Sequence, residues 1–211
     1  MYMIHWILEM LPQINKGLLR HLELVGLSLL FAIIITIPLA VFLSRNRSIA
    51  RYVLALAGVI QTIPGLVMLG LFLIFFGIGK WPAVAVLTLY AILPLLQNTY
   101  TGLTEVNSAY IEAAKGIGMS NGQRLFKVEF PLAIPSIIGG LRISTIYIIS
   151  WATLAALNGA GGLGDLIWTG LSTYKSQYIL AGAIPSALLA ITASWLIGGM
   201  QRLLTPKGLR G

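Results

Sequence analysis

Cysteine is absent from the chain, and only six of its 211 residues are acidic and two are histidine. Without cysteine, a disulfide framework and thiolate metal sites are excluded. His5 and His21 have no partner His, Cys or carboxylate at metal-ligand spacing, which leaves them interfacial or capping roles and no metal site. No GxxxxGK[ST] phosphate loop occurs, so the chain does not hydrolyse ATP itself. Paired carboxylates, a Ser–His–Asp set and HExxH are missing too, so no catalytic residue and no intrinsic enzymatic activity are expected.

What fills the chain is apolar. Hydrophobic residues make up 57% and charged residues 9%, and the mean hydropathy is +0.89, far outside the soluble range. This is the composition of an all-α integral membrane protein. The net charge of +8 would otherwise raise nucleic acid as a partner. Membrane topology accounts for it, so lipid is the expected surroundings and nucleic acid is not expected.

In residues 1–21, Ile4, Ile7, Leu8, Leu11, Ile14, Leu18 and Leu19 recur at helical spacing. Glu9, Lys16 and Arg20 interrupt the segment, so it reads as an amphipathic helix lying in the interface rather than a signal peptide. Apolar runs of spanning length follow at about 24–43, 52–79, 82–106, 132–157 and 178–204. The domain 22–204 is therefore a five-span bundle, with 205–211 as a tail. The second run is too long for one straight span, and Gln61-Thr62-Ile63-Pro64-Gly65 in its middle predicts a kinked or unwound helix. In the fifth run Gly182, Ser186, Ala190, Ser194 and Gly198 recur every four residues, a spacing that lets helices approach closely, within the subunit or across a dimer.

Residues 107–131, NSAYIEAAKGIGMSNGQRLFKVEFP, are the longest charge-bearing interval between apolar runs. Asn107 or Ser108 can cap a first helix. Gly118 lies where a left-handed residue is wanted after its end. Ser120 and Gln123 have capping-box spacing, so a second short helix begins at Asn121. Pro131 limits that helix, because the residue before a proline is pushed away from helical angles. The result is a helix–turn–helix knob suited to pressing into a groove on another protein.

Glu112-Ala113-Ala114, three residues, Gly118, nine residues, then Val128, Phe130 and Pro131 resemble the EAA loop of binding-protein-dependent ABC importer permeases. The resemblance implies a bundle of the methionine-importer-permease type, and a knob that is the coupling helix docking on a cytoplasmic ABC ATPase dimer. Glu112, Ala113, Ala114, Lys115, Gly118, Arg124 and Pro131 are the coupling residues it marks. No cofactor is implied on this chain, since Mg-ATP would be bound by the ATPase. A second permease subunit, identical or paralogous, and an extracytoplasmic substrate-binding protein complete the implied partners.

Charge and motif agree on orientation. With the knob in the cytoplasm of a bacterial cell, the inner side holds Arg45, Arg47, Arg51, Lys115, Arg124, Lys127, Arg202, Lys207 and Arg210. The outer side holds Lys16, Arg20, Lys80 and Lys175, while Arg142 falls within the fourth span. Positive-inside then gives a multi-pass protein of the inner membrane with its N-terminus outside and its C-terminus cytoplasmic.

The external segment 158–177 contains GAGGLG followed by Asp165. It spells GxGxxG, but an apolar span stands where a dinucleotide site needs a strand. In the permease family similar glycine-rich segments lie just outside the fourth span. The resemblance implies a re-entrant loop at the pathway mouth, where Gly161, Gly162 and Gly164 permit tight turns. Asp165, Trp168 and Tyr174 are its implied contacts with the binding protein; the alternative is a plug of the outer face.

Polar residues inside spans are pathway candidates: Gln61 and Thr62 at the kink, Asn98 and Thr101 on the third span, and Ser144, Thr145, Ser150 and Thr153 on the fourth. Each can instead bond another helix. With no acidic residue inside a span, the pathway is close to neutral. NTYTG at 98–102, KGIGM at 115–119, PLAIPSI at 131–137, STIY at 144–147, WATLA at 151–155, GAGGLGD and the tail TPKGLRG resemble osmoprotectant permeases, which import glycine betaine, carnitine or choline. Ergothioneine or an amino acid are alternative solutes within the same fold. Rivals from other classes are a passive, osmotically gated channel and a membrane scaffold; the EAA spacing argues against both.

Overall fold

A computed structural model describes residues 2–205, except for the side chains of residues 2–5, 7 and 8. The rest of the tail, 206–211, and the side chains of Ile4, His5, Ile7 and Leu8 lie outside the described residues. Everything regular among the described residues is helical. The α-helices are α1 (Tyr2–Arg45), α2 (Arg47–Thr62), α3 (Gly65–Phe76), α4 (Lys80–Thr104), α5 (Ser108–Gly116), α6 (Asn121–Arg124), α7 (Phe130–Ala155), α8 (Leu163–Ser172) and α9 (Ser176–Leu204). Four helical stretches are long and apolar enough to cross a membrane, and α2 with α3 forms a fifth if the bent pair counts as one span.

α4 is the centre of the bundle and packs on both α1 and α7. Its apolar residues Leu87, Ala91 and Leu95 join Leu24 and Ala32 of α1 and Ile148, Ile149 and Ala152 of α7 in one buried core. Some buried hydroxyls bridge these helices: Ser28 donates to Val84 O at 3.4 Å, and Ser144 donates to Ala91 O at 2.8 Å. α9 packs on α7 and α8.

The expected interfacial helix and first span are one element, because α1 runs unbroken for 44 residues. At about 1.5 Å per residue it is about 66 Å long, roughly twice the hydrocarbon core. Its N-terminal part is held by protein contacts that hydropathy does not register. Met10 is buried with Leu166 and Ala181, Arg20 Nε donates to Ala160 O at 2.9 Å, and buried His21 bonds Ile149 O at 3.0 Å.

The second span breaks where its sequence does. α2 ends at Thr62, Ile63 and Pro64 are extended, and α3 leaves at 93°. Pro131, by contrast, does not end its helix. Glu129 and Phe130 both have helical angles, and the chain continues into α7 through a π-turn over Leu125–Glu129. The wider turn takes up one extra residue just before the ring, which relieves the clash with the preceding turn that normally makes proline a helix breaker. Within the segment 158–177 the chain forms a helix, α8.

Candidate functional site: the charged knob and the open face

Local chemistry builds the knob between α4 and α7. Asn107 Oδ1 accepts from Ala109 N at 2.9 Å and caps α5. At the other end Gly118 has φ +78, with Gly118 N donating to Lys115 O at 2.9 Å and Met119 N to Ala114 O at 3.0 Å. These paired bonds satisfy the last carbonyls of α5 and reverse the chain within three residues. Ser120 and Gln123 then make both bonds of a capping box.

The reversal sets the charged residues outward. Glu112, Ala113 and Lys115 are exposed while Ala114 is buried. Three large apolar side chains are exposed beside them: Tyr110, Ile117 and Phe126. A polar knob carrying an uncovered apolar rim has the make-up of a protein-docking surface. Its root is fixed by Glu129, which is fully buried. Arg45 Nη2 lies 2.5 Å from Glu129 Oε2 and Arg124 Nε 2.8 Å from Glu129 Oε1. Glu129 was absent from the sequence-derived set, and its one signal was an acidic residue among apolar neighbours next to a span.

The pathway candidates divide. Gln61 Nε2 donates to Tyr90 O at 3.1 Å and, with Ser150, lines an open pocket of about 630 Å³. Thr62 and Thr153 are satisfied within their own helices by Val59 O and Ser150 O, each at 2.7 Å. Asn98 Nδ2 donates to Pro94 O at 2.8 Å, and Thr101 is half-buried. Ser144 and Thr145 line no open face: both are buried, bonding Ala91 O and Leu141 O. A hydroxyl that satisfies a neighbouring backbone carbonyl looks the same in sequence as one facing a pore. Tyr90, Tyr147 and Trp151, which also line the pocket, were not singled out from the sequence.

At the end opposite the knob, the glycine segment turns through Gly161 and Gly162, with φ +84 and +101. Gly164 lies in the first turn of α8, where a Cβ would meet Thr153 O at 2.0 Å. Asp165 is exposed in that same turn and Trp168 is half-buried. Burial on one side raises the Asp165 pKa, against the opposing pull of Arg20 and Lys16. Tyr174 is 95% exposed with φ +55, a backbone conformation that a bulky residue adopts only at a cost. The small-residue stripe of α9 packs within the subunit. A Cβ on Gly182 would meet Leu163 O of α8 at 2.5 Å, and Arg142 Nε of α7 donates to Ser194 Oγ at 2.7 Å. No cluster of three or more His, Cys, Asp or Glu that could hold a metal occurs among the described residues.

Comparison with known proteins matches this architecture. The glycine betaine/carnitine/choline transport system permease protein OpuCB of Bacillus subtilis is 44% identical over 91% of this chain and 88% of its own. The choline transport system permease protein OpuBB of the same organism is 41% identical over 98% and 97%. The osmoprotectant import permease protein OsmW of Salmonella typhimurium is 41% identical over 98% and 99%. Among solved structures, a chain of the inward-facing MetNI methionine ABC transporter superposes with a TM-score of 0.85 at 22% identity, covering 94% of this chain and 99% of that one. The fold is therefore the one expected from the sequence, that of a methionine-importer-type permease. The family model for binding-protein-dependent transport system inner membrane components spans residues 28–208. The chain is a multi-pass permease subunit of the binding-protein-dependent transport system inner membrane component family.

Proposed function

We propose that this permease imports compatible solutes bearing a quaternary ammonium group, such as glycine betaine, carnitine or choline. It does so as one of two membrane subunits, seated on a cytoplasmic pair of ABC ATPases and fed by an extracytoplasmic binding protein. The solute class is supported by relatives at 41–44% identity whose names carry it. The coupling role rests on one observation above all, the knob: exposed Glu112, Ala113 and Lys115 are presented beside an uncovered apolar rim on a turn locked by Gly118. Closure of the ATPases on ATP pushes this knob, and the bundle rocks between its two openings.

In this reading the knob end, with Arg45, Arg47, Arg51, Arg124 and Lys127, is cytoplasmic. The end with Lys16, Arg20 and Lys80 is external, and exposed Tyr174 and Asp165 are contacts for the binding protein. Because the chain has no cysteine, single-cysteine variants report orientation without background. A cysteine at Tyr174 is expected to react with an impermeant maleimide in intact cells, and one at Lys115 only after permeabilisation; the reverse pattern overturns the orientation.

The assembly is tested by pulling the tagged chain from its native membrane in mild detergent. Wild type should bring down an ABC ATPase, and Gly118→Asp should not. Reconstituted with those companions, the complex should accumulate radiolabelled choline or glycine betaine only with ATP and binding protein. Flux without ATP would identify a channel, and accumulation of an amino acid instead would overturn the solute class.

A further inference from the structure

The pocket beside the break in the second span has an unusual wall. Tyr90 of α4 and Trp151 of α7 are stacked, with centroids 5.2 Å apart and an interplanar angle of 26°. The Tyr90 hydroxyl donates to Ile63 O, and Gln61 Nε2 donates to Tyr90 O, so the unwound Ile63–Pro64 link is tied to the same tyrosine. Gly65 makes the arrangement possible. A Cβ there would lie 2.0 Å from the Trp151 ring, so any larger residue would evict the indole. Tyr147, one turn before Trp151 on the same face of α7, is 46% exposed and adds an accessible ring.

We infer that this pocket is a transit site for the quaternary ammonium group, recognised by the rings of Tyr147 and Trp151, with Tyr90 as the support behind the indole. The inference rests on the solute class proposed above. A quaternary ammonium has no N–H to donate, so hydroxyls and carbonyls cannot bind it as they bind a lysine. Aromatic faces attract it through their quadrupole while also contacting its methyl groups. The pocket, at about 630 Å³, falls in the range of about 300–1,000 Å³ typical of small-ligand sites. None of the six acidic residues lines it. That suits transit, because a carboxylate in a low-dielectric span would hold a permanent cation too tightly to release it. The Gln61 amide oxygen, whose nitrogen is occupied by Tyr90 O, supplies a neutral acceptor for the polarised methyl groups.

The test uses the whole complex with its binding protein in proteoliposomes and compares choline uptake for wild type, Tyr147→Phe, Tyr147→Leu and Trp151→Leu. Replacing either ring by leucine is expected to lower the maximal uptake rate about five- to tenfold, as loss of one desolvated ring–cation contact would. Tyr147→Phe keeps the ring and should stay within about twofold of wild type. The affinity of the separate binding protein for choline is untouched by these changes, so a loss of rate is assigned to the permease. Tyr147 is half-exposed, so its variants settle the question even if Trp151→Leu fails to assemble. If wild type carries choline and Tyr147→Leu carries it equally fast, the transit site is wrong and the solute class stands. If Tyr147→Phe is as slow as Tyr147→Leu, the hydroxyl and not the ring is at work, and the inference is overturned. If wild type carries neither choline nor glycine betaine, the solute class itself fails.

Discussion

Arg45, the last residue of α1, reaches Glu129 at the root of the knob across 84 residues of sequence, with Nη2 and Oε2 2.5 Å apart. Glu129 is 1% exposed at its side chain, while Arg45 is 40% and Arg124 12% exposed. One buried carboxylate thus ties the end of the first span and the second half of the knob to the start of α7. A displacement of the knob would therefore pull on both spans at once. The π-turn over Leu125–Glu129 lies directly at this junction, where an irregular turn often marks a functional position.

Removing that carboxylate leaves two arginines facing each other with no counter-charge. Glu129→Ala is expected to destabilise the subunit by about 3 kcal/mol, and Glu129→Gln, which keeps an acceptor for one arginine, by less. Thermal unfolding of the purified complex measures this. Recovery of the fold by Glu129→Ala combined with Arg124→Leu, which removes the more buried of the two uncompensated charges, would identify charge burial as the cause. No recovery would point to the lost hydrogen bonds.

Gly118 carries a different burden. A Cβ there meets nothing within 4 Å, and yet φ is +78. The cost of Gly118→Ala is therefore conformational, about 1–2 kcal/mol, and falls on the knob alone. Global melting should move little while recovery of the ATPase and ATP-dependent uptake drop. Gly118→Asn, which tolerates left-handed angles better, should retain more of both. Equal behaviour of the alanine and asparagine variants would remove backbone strain as the explanation.

The knob was legible in the sequence because its determinants are local. Asn107, Gly118, Ser120 and Gln123 act within four residues of where they stand, and the break at Gln61–Gly65 is announced by its own proline. The contacts that escaped are those between distant segments. Nothing near Arg45 points to Glu129, nothing near Met10 points to Leu166, and the Tyr90–Trp151 pair forms only once α4 lies against α7. Pro131 was misread as a stop because a π-turn, which has no sequence marker of comparable strength, absorbs its effect. Ser144 and Thr145 stayed open between two readings, because a polar residue in a span announces that it needs a partner without saying whether the partner is a carbonyl or a solute.

Asp165 provides a pH test of the glycine-rich segment. Burial raises its pKa in the folded protein despite Arg20 and Lys16. A raised carboxyl pKa means that the folded state binds the proton more tightly than the unfolded one. The group's contribution to stability is then greatest below its unfolded value, near 3.9, and is lost as pH rises through the folded pKa. Asp165→Asn, neutral at every pH, should accordingly melt slightly above wild type at pH 7. That advantage should shrink as the pH is lowered toward 4. A variant less stable than wild type at pH 7 would show that attraction to Arg20 and Lys16 outweighs burial.

Two glycines of the bundle should respond oppositely to the same substitution. At Gly164 a Cβ would sit 2.0 Å from Thr153 O and 2.8 Å from Ala156 Cβ, so α8 must retreat from α7 to admit it. Such overpacking costs about 1–3 kcal/mol, and it falls where the glycine segment meets Arg20 and His21 of α1. Gly139, inside α7, has nothing within 4 Å of its Cβ position. There alanine meets no obstruction and removes the helix penalty of glycine, a gain of up to about 1 kcal/mol. Gly164→Ala should therefore lower the melting temperature of the purified complex, and Gly139→Ala should hold or raise it. A loss at Gly139 comparable to that at Gly164 would mean that another surface, such as a second permease subunit, closes on α7 at that point. The same pair of variants thus tests packing within the subunit and maps which face of α7 a partner covers.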